Sequence, residues 1–312
     1  MRRALFSLSM AAVSAFAQFA ATGPGATFLT IVPDARTAAL GGAGVALDSL
    51  DANTYYNPAS ITSGSPMAAT WTHDHWLGGD MSNDHAGATY RPNGRLGLAA
   101  NVQHFQVTFP STDEHGTVIG TTRWFDVAPS ISAAYRLQPA ISAGLTVKAI
   151  YQRIAWSGGR VLDFLTSACD AGVQYRPLDA LTLGLAVANL GPIIGYRTTA
   201  GYYLTRLARL GFAVRPQIDG PVSATVIGEV SRNLYPAGSN PYPWHLGAGL
   251  ELGAAHLAFV RLGYRYEHSL RGFTWGVGLE HRGVRIDVGV DSDIYDSVFR
   301  YRSVRFQFSW HL

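Results

Sequence analysis

Cysteine occurs once, at Cys169, and lysine once, at Lys148, against twenty-three arginines; charged residues make up only 14% of the 312. A lone thiol closes no intrachain disulfide, and within its alternating run Cys169 reads as a small apolar filler. Beyond the first seventeen residues no stretch approaches the roughly 18 uninterrupted apolar residues of a transmembrane helix. The formal charge of +3 falls to about +1 once Arg2 and Arg3 leave with a leader, so nothing argues for nucleic-acid binding. No P-loop or dinucleotide fingerprint occurs either, because Gly41-Gly42-Ala43-Gly44 lacks the strand-to-helix context such a site needs.

Catalytic chemistry is equally short of residues. Ser157, in Ala155-Trp156-Ser157-Gly158-Gly159, lacks the first glycine of a nucleophile elbow and sits where a strand meets a loop. His73 and His75 share one strand face with Asp74 opposite; that spacing suits a metal, but without a third ligand they read as two titrating residues near a rim. The expectation is therefore a protein that is not an enzyme and carries no cofactor.

What is present starts with a leader. Met1-Arg2-Arg3, an apolar core over residues 4–17, and the small-x-small site Ala15-Phe16-Ala17 read as a signal peptide over residues 1–17, cleaved just before Gln18. An exported, membrane-spanning chain without apolar helices must close a barrel. The 34 glycines, 47% apolar content and low charge suit that choice.

The last nine residues alternate cleanly. Val304, Phe306, Phe308, Trp310 and Leu312 share one face of a strand; Arg305, Gln307, Ser309 and His311 share the other. Taken alone, this fits a half-buried strand of a soluble sheet as well as the closing strand of an outer-membrane barrel. In the barrel the aromatic face meets lipid and acts as the signal read by the barrel-assembly machinery, with outer-membrane lipid as the standing partner. Period-2 alternation recurs over fourteen segments: 67–76, 84–91, 95–108, 122–137, 140–155, 163–176, 180–189, 206–215, 221–231, 244–252, 256–267, 272–281, 283–291 and 301–312. In the fourth, Phe125, Val127, Pro129, Ile131, Ala133, Tyr135 and Leu137 oppose Trp124, Asp126, Ala128, Ser130, Ser132, Ala134 and Arg136.

Tight turns after Tyr90, Tyr135, Tyr175 and Val214, and near Gly253 and Gly283, alternate with longer connections at 77–83, 109–121, 156–162, 190–205, 232–243, 268–271 and 292–300. That asymmetry places the tight turns in the periplasm and the loops outside, with Tyr90, Tyr135, Tyr175, Tyr264, Tyr266 and Tyr301 as interfacial girdles. Asp126, Lys148, Asp170, Glu229, Glu251, Arg261, Arg265, Asp287 and Arg305 fall on the polar, lumen-facing parity. A set of mixed sign reads as internal salt bridges more than as a selective ion path.

Residues 18–66 break the alternation. Phe28-Leu29-Thr30-Ile31-Val32-Pro33-Asp34-Ala35-Arg36 leads into Ala38-Ala39-Leu40-Gly41-Gly42-Ala43-Gly44, followed by Asp51-Ala52-Asn53-Thr54-Tyr55-Tyr56-Asn57-Pro58-Ala59-Ser60. Asp34 and Arg36 point to the same side of an extended segment, as an internal pair or as a solvated one. Pro58 fixes its own φ and biases Asn57 away from helix, and the asparagine side chain can cap a turn. Over residues 25–61 the chain resembles the PorV/PorQ family of the type IX secretion system, itself related to the FadL fatty-acid channels; Tyr56 stands where that family commonly has tryptophan.

The resemblance implies an all-β, antiparallel transmembrane barrel of about 14 strands over residues 67–312, with residues 18–66 as a plug carrying Phe28, Leu29, Asp34, Arg36, Asn57, Pro58 and Ala59. It also implies that the barrel receives secreted proteins bearing a C-terminal signal domain and passes them to surface attachment with other secretion components. The alternative is a FadL-like transporter of long-chain fatty acids or other hydrophobic compounds. Such a transporter needs an apolar tunnel, whereas the lumen parity is mostly glycine, serine, threonine and charge, which favours the secretion reading. A family member with neither role is a third possibility.

Overall fold

The computed structural model describes residues 25–48, 54–75, 81–192, 194–195, 201–234, 243–267, 270–295 and 299–312. The leader with Ala15 and Ala17, residues 18–24 and 49–53, and parts of five expected loops lie outside the described residues. Strands are numbered in chain order: β1 (Met67–His75), β2 (Met81–Tyr90), β3 (Leu96–Thr112), β4 (Val118–Gln138), β5 (Ile141–Trp156), β6 (Val161–Leu178), β7 (Leu181–Leu190), β8 (Ile194–Gly195), β9 (Gly201–Tyr202), β10 (Leu207–Val214), β11 (Val222–Asn233), β12 (Trp244–Ala254), β13 (Ala258–Glu267), β14 (Leu270–His281), β15 (Val284–Tyr295) and β16 (Phe299–His311). β8 and β9 pair only with each other. The other fourteen form one closed antiparallel barrel in which β10 lies beside β7 and β1 beside β16. Each of the fourteen alternating segments of the sequence is one of these strands. Among the described residues no helix is long and apolar enough to cross a membrane.

The alternation sorts side chains as a barrel requires. On β16, Phe306, Phe308, Trp310 and Leu312 are 50%, 45%, 38% and 62% exposed, while Arg305, Gln307 and Ser309 are buried in the lumen. The seam closes by pairing Trp71 with Phe308 and Thr72 with Gln307. Tyr90, Tyr135, Tyr175, Tyr264 and Tyr266 are exposed on the outer wall, as amphipathic rings at a membrane interface would be. Cys169 also faces outward, where a small apolar side chain suits lipid.

Two expectations need correction. Residues 109–121 are largely strand and 156–162 partly so: β3 and β4 stay in register from Thr108 opposite Arg123 to Ser111 opposite Gly120, and β5 and β6 pair as far as Ala155 opposite Val161. The far-end connections there shrink to residues 113–117 and 157–160. The cause is continued cross-strand packing where a polar, loop-like composition was read. Second, Asp34 and Arg36 are not on an extended segment. Residues Ala35–Ala39 form a short helix, α1, with Asp34 as its N-cap, and this gives the two side chains different directions.

Residues 25–48 and 54–66 run inside the barrel. A 3-10 turn at Thr27–Thr30 lies toward the far end, α1 packs on β13 to β16, and a second 3-10 turn at Pro58–Thr62 packs on β3 to β6. Glycine abundance follows from how closely this segment meets the wall. A Cβ on Gly184 would lie 2.2 Å from the Val45 carbonyl oxygen, one on Gly289 2.3 Å from that of Ala35, and one on Gly263 2.4 Å from the Gly41 nitrogen. At Gly41 the backbone also has φ +73°, a left-handed value that glycine takes without strain.

Candidate functional site in the barrel lumen

The lumen divides into two regions of different chemistry. Along β11 to β16 and β1 it is ionic. Glu251 of β12 stands directly opposite Arg261 of β13, whose Nε donates to it at 2.6 Å and whose Nη1 is 2.8 Å from Asp287. Arg285 bridges Asp287 at 2.8 Å and Glu251 at 3.8 Å. Arg305 meets Asp74 at 3.0 Å and Asp291 at 2.8 Å, and Arg265 meets Asp291 at 3.4 Å. Such charges are retained in a buried wall when paired or hydrogen-bonded: of the other lumen positions read from parity, Lys148 pairs with Asp170 at 2.7 Å and Glu229 with Arg209 at 2.9 Å, while Asp126 has only the neutral donors Trp124 Nε1 and Gln152 Nε2.

The internal segment is tied into these networks at both ends. Arg36 reaches Glu251 with a two-pronged contact of 2.9 and 2.7 Å, a geometry that suits the planar guanidinium. Asp34 accepts from the Thr37 backbone N–H at 2.8 Å and from its hydroxyl, capping α1. Burial pushes the Asp34 carboxyl above its usual pKa, opposed by the Thr37 hydrogen bonds and by the charges of Arg36 and Arg305. Glu229 accepts from the Gly44 and Val45 N–H groups at 2.8 and 2.9 Å, and Asp48 pairs with Arg176 and Arg215.

Asn57 is fully buried at the opposite wall. Its Oδ1 accepts from Ala59 N–H at 3.0 Å, capping the Pro58–Thr62 turn, while its Nδ2 donates to the carbonyls of Val45 and Val173 at 3.0 Å each. Pro58 and Ala59 sit close to Gly144, whose added Cβ would be 2.6 Å from the Pro58 carbonyl carbon. One side chain therefore links the turn, the preceding segment and the wall. Asn57→Ala is expected to destabilise docking of the turn by about 2–3 kcal/mol, since it removes the cap and strands buried carbonyls. Hydrogen exchange over residues 54–66 should accelerate while the strands keep their protection; equal acceleration throughout would show the turn and barrel to be one cooperative unit.

The second region is apolar and lies at the far end. Phe28, Leu29 and Ile31 pack against Phe105, Val107, Ala128, Ile150, Ala168 and Leu204, with Phe109, Trp124 and Phe164 at the margin. It exists because β3 to β6, at 17, 21, 16 and 18 residues, exceed the about 9–11 residues a spanning strand needs. In their far halves the two faces become mixed, with Thr122, Asp126 and Gln152 also inward and Phe125 and Leu165 still outward. Phe105 and Val107 face inward while Gln106 and Thr108 face outward, and Arg123, Arg153 and Asp163 occupy the outer parity of the neighbouring strands. Sequence reading assigned one parity rule to whole strands and missed this chamber, although the Phe105, Val107, Phe109 spacing carries the signal.

Between the regions lies a cavity of about 30 Å³, bordered by Leu29, Tyr55, His85, Asn101, Lys148 and Asp170. That is room for water but not for a hydrocarbon. The remaining sequence candidates have structural roles. His73 faces outward and meets Asp84 at 2.7 Å, Ser157 Oγ accepts from Thr121 N–H, and among the described residues no group of three or more His, Cys, Asp or Glu is arranged to hold a metal.

No protein-family model matches the chain, and no curated protein matches it in sequence. Its fold is shared with solved structures of low identity. The Ralstonia pickettii toluene transporter TbuX is 14% identical with a TM-score of 0.61, covering 90% of this chain and 98% of that one. The CymD monoaromatic hydrocarbon channel is 12% identical with a TM-score of 0.65, covering 91% and 99%. A Pseudomonas aeruginosa FadL homologue is 12% identical with a TM-score of 0.58, covering 89% and 97%. What these three structures share with the chain is its fold.

Proposed function

We propose that this chain is an outer-membrane channel for small hydrophobic molecules, in which residues 25–48 and 54–66 occupy the lumen as a plug and no catalytic step occurs. The observation that carries the reading is the apolar cluster inside the far halves of β3 to β6. Phe105, Val107, Phe109, Trp124 and Phe164 give the far half of this wall an apolar inner face, and small-molecule sites are concave and mostly apolar. Phe28, Leu29 and Ile31 fill this chamber, so entry of a ligand requires the segment that holds them to shift. The shared fold with a toluene transporter and a monoaromatic hydrocarbon channel supports the same reading. It favours the transporter over the secretion role that the lumen parity had suggested. In this reading residues 1–17 direct export, cleavage follows Ala17, and the barrel-assembly machinery inserts the strands into lipid.

The test is uptake of a labelled hydrocarbon by cells or proteoliposomes carrying the protein, against the Phe105→Asp/Val107→Asp variant. Two carboxylates in an apolar chamber cost several kcal/mol if left unpaired, so uptake should fall by at least about tenfold while the barrel still assembles. Equal uptake with and without the protein would reject the channel.

A second reading keeps the barrel as a docking protein of type IX secretion. It is favoured by the Phe28–Arg36 and Asn57-Pro58-Ala59 pattern and by the small volume of the described cavity. In a host with that system, gene deletion should then leave cargo bearing the C-terminal signal domain unprocessed while hydrocarbon uptake stays unchanged.

A further inference from the structure

Arginine is distributed unevenly between the two ends of the barrel. At the tight-turn end the guanidinium groups turn inward onto the internal segment: Arg91 donates to the Ile61 and Ser65 carbonyls, Arg136 to that of Thr62, and Arg176 and Arg215 pair with Asp48. At the far end the reverse holds. Arg123 of β4, Arg153 of β5, Arg232 of β11, Arg271 of β14 and Arg302 of β16 stand on the outer parity in the far halves of their strands, and all five are exposed. Among the described residues none of the five makes a salt bridge. The strand acids on that outer parity are Asp84, which His73 engages at 2.7 Å, and Asp163, opposite Arg153. The outer face of the far end therefore carries positive charge that the protein itself does not neutralise.

Aromatic neighbours set the level of this band. The Arg232 guanidinium lies over the ring of the exposed Trp244, 5.1 Å from its centroid, and Arg271 stands opposite the exposed Tyr266. Trp and Tyr concentrate where hydrocarbon gives way to head groups, and an arginine stem lies along apolar surface while its guanidinium reaches the charged layer. Two of the five are also neighbours. Arg153 is opposite Phe125 and Arg123 opposite Ala155, so the two side chains are diagonal on the outer face of β4 and β5. Like charges within reach across a strand pair repel; an anion between them turns the repulsion into attraction.

We infer that the far rim of the outer wall docks the phosphate groups of membrane lipid, with Arg123 and Arg153 as a paired site and Arg232, Arg271 and Arg302 continuing the band around the barrel. A guanidinium meets phosphate through two parallel N–H donors, and basic residues at a membrane surface bind its anionic head groups. With the tight turns in the periplasm, the lipid is that of the outer leaflet, a phosphorylated glycolipid. The inference needs the outer wall to meet lipid and takes nothing from the channel reading, so either can fail alone.

The experiment adds bisphosphorylated lipid A to the full barrel in a neutral detergent and follows the unfolding temperature by tryptophan fluorescence. Lipid A should raise that temperature. Replacing all five arginines by glutamine should raise its half-saturating concentration at least about tenfold, and Arg123→Gln with Arg153→Gln should account for a large share of the change. Arg95→Gln with Arg282→Gln, in exposed turns at the opposite end, should leave the response as it is. Heat-modifiable migration on gels verifies that each variant has assembled; should the five-arginine variant fail to assemble, the Arg123 and Arg153 pair decides. Dephosphorylated lipid A acting as well as the phosphorylated form, or an unchanged response in the assembled variant, overturns the inference. So does the same rise with inorganic phosphate at equal concentration, which would mark a site for free anions, or an equal loss in the Arg95 and Arg282 variant, which would reduce the effect to net charge.

Discussion

Glu251→Leu is expected to destabilise the folded protein by about 3–5 kcal/mol, the largest effect of any single substitution in the lumen. Three guanidinium groups converge on this carboxylate: Arg36 at 2.7 Å, Arg261 at 2.6 Å and Arg285 at 3.8 Å. Arg261 and Arg285 retain Asp287, so the lost contact bears mainly on Arg36 and loosens α1 from the wall. The measurement is the temperature at which the compact gel form converts to the slow-migrating one, together with protease access to residues 35–48. Adding Arg36→Met to Glu251→Leu should restore part of the loss, because a paired removal costs less than an orphaned charge. If the double variant is no more stable than the single one, Arg36 is not the group that Glu251 compensates.

The barrel was legible because strands facing lipid on one side and a crowded lumen on the other must alternate, and the alternation repeats too regularly to be missed. Lumen charges were legible for the same reason. Residues such as Glu251 and Arg261 stand on the polar parity of adjacent strands, and antiparallel pairing sets them opposite each other. What parity could not supply was the third partner. Arg36, Asp34 and Asp48 come from a segment whose position in the lumen is fixed by contacts with residues more than a hundred positions away, as with Arg36 and Glu251. The apolar cluster was missed because one parity rule was applied along the whole of β3 to β6, while in their far halves Arg123, Arg153 and Asp163 come onto the outer face. A polar outer face at Gln106 and Thr108 looks like the end of a strand when it is the continuation of one.

Phe308→Asp together with Trp310→Asp is expected to abolish assembly of the barrel. Both side chains point outward from β16, at 45% and 38% exposure, and their strand closes the seam by pairing Trp71 with Phe308 and Ala69 with Trp310. An acidic residue on the lipid face costs somewhat less than the about 2–4 kcal/mol of Arg or Lys near the midplane. Two of them together approach only the low end of a typical domain's stability, about 5 kcal/mol, but they act on the strand that must close the seam. A control must respect the lumen side. Gln307 accepts from the Ala35 N–H and donates to Ser309, and Ser309 meets Thr70, so acidic replacements there would disturb the α1 contact and confuse the comparison. Ser309→Ala removes a hydroxyl without adding charge and should assemble with a loss of about 1 kcal/mol. Outer-membrane fractionation and heat-modifiable migration read both variants. Normal assembly of the double aspartate variant would mean that this face of β16 does not meet lipid, and the outward assignment of every strand in register with it would fall as well.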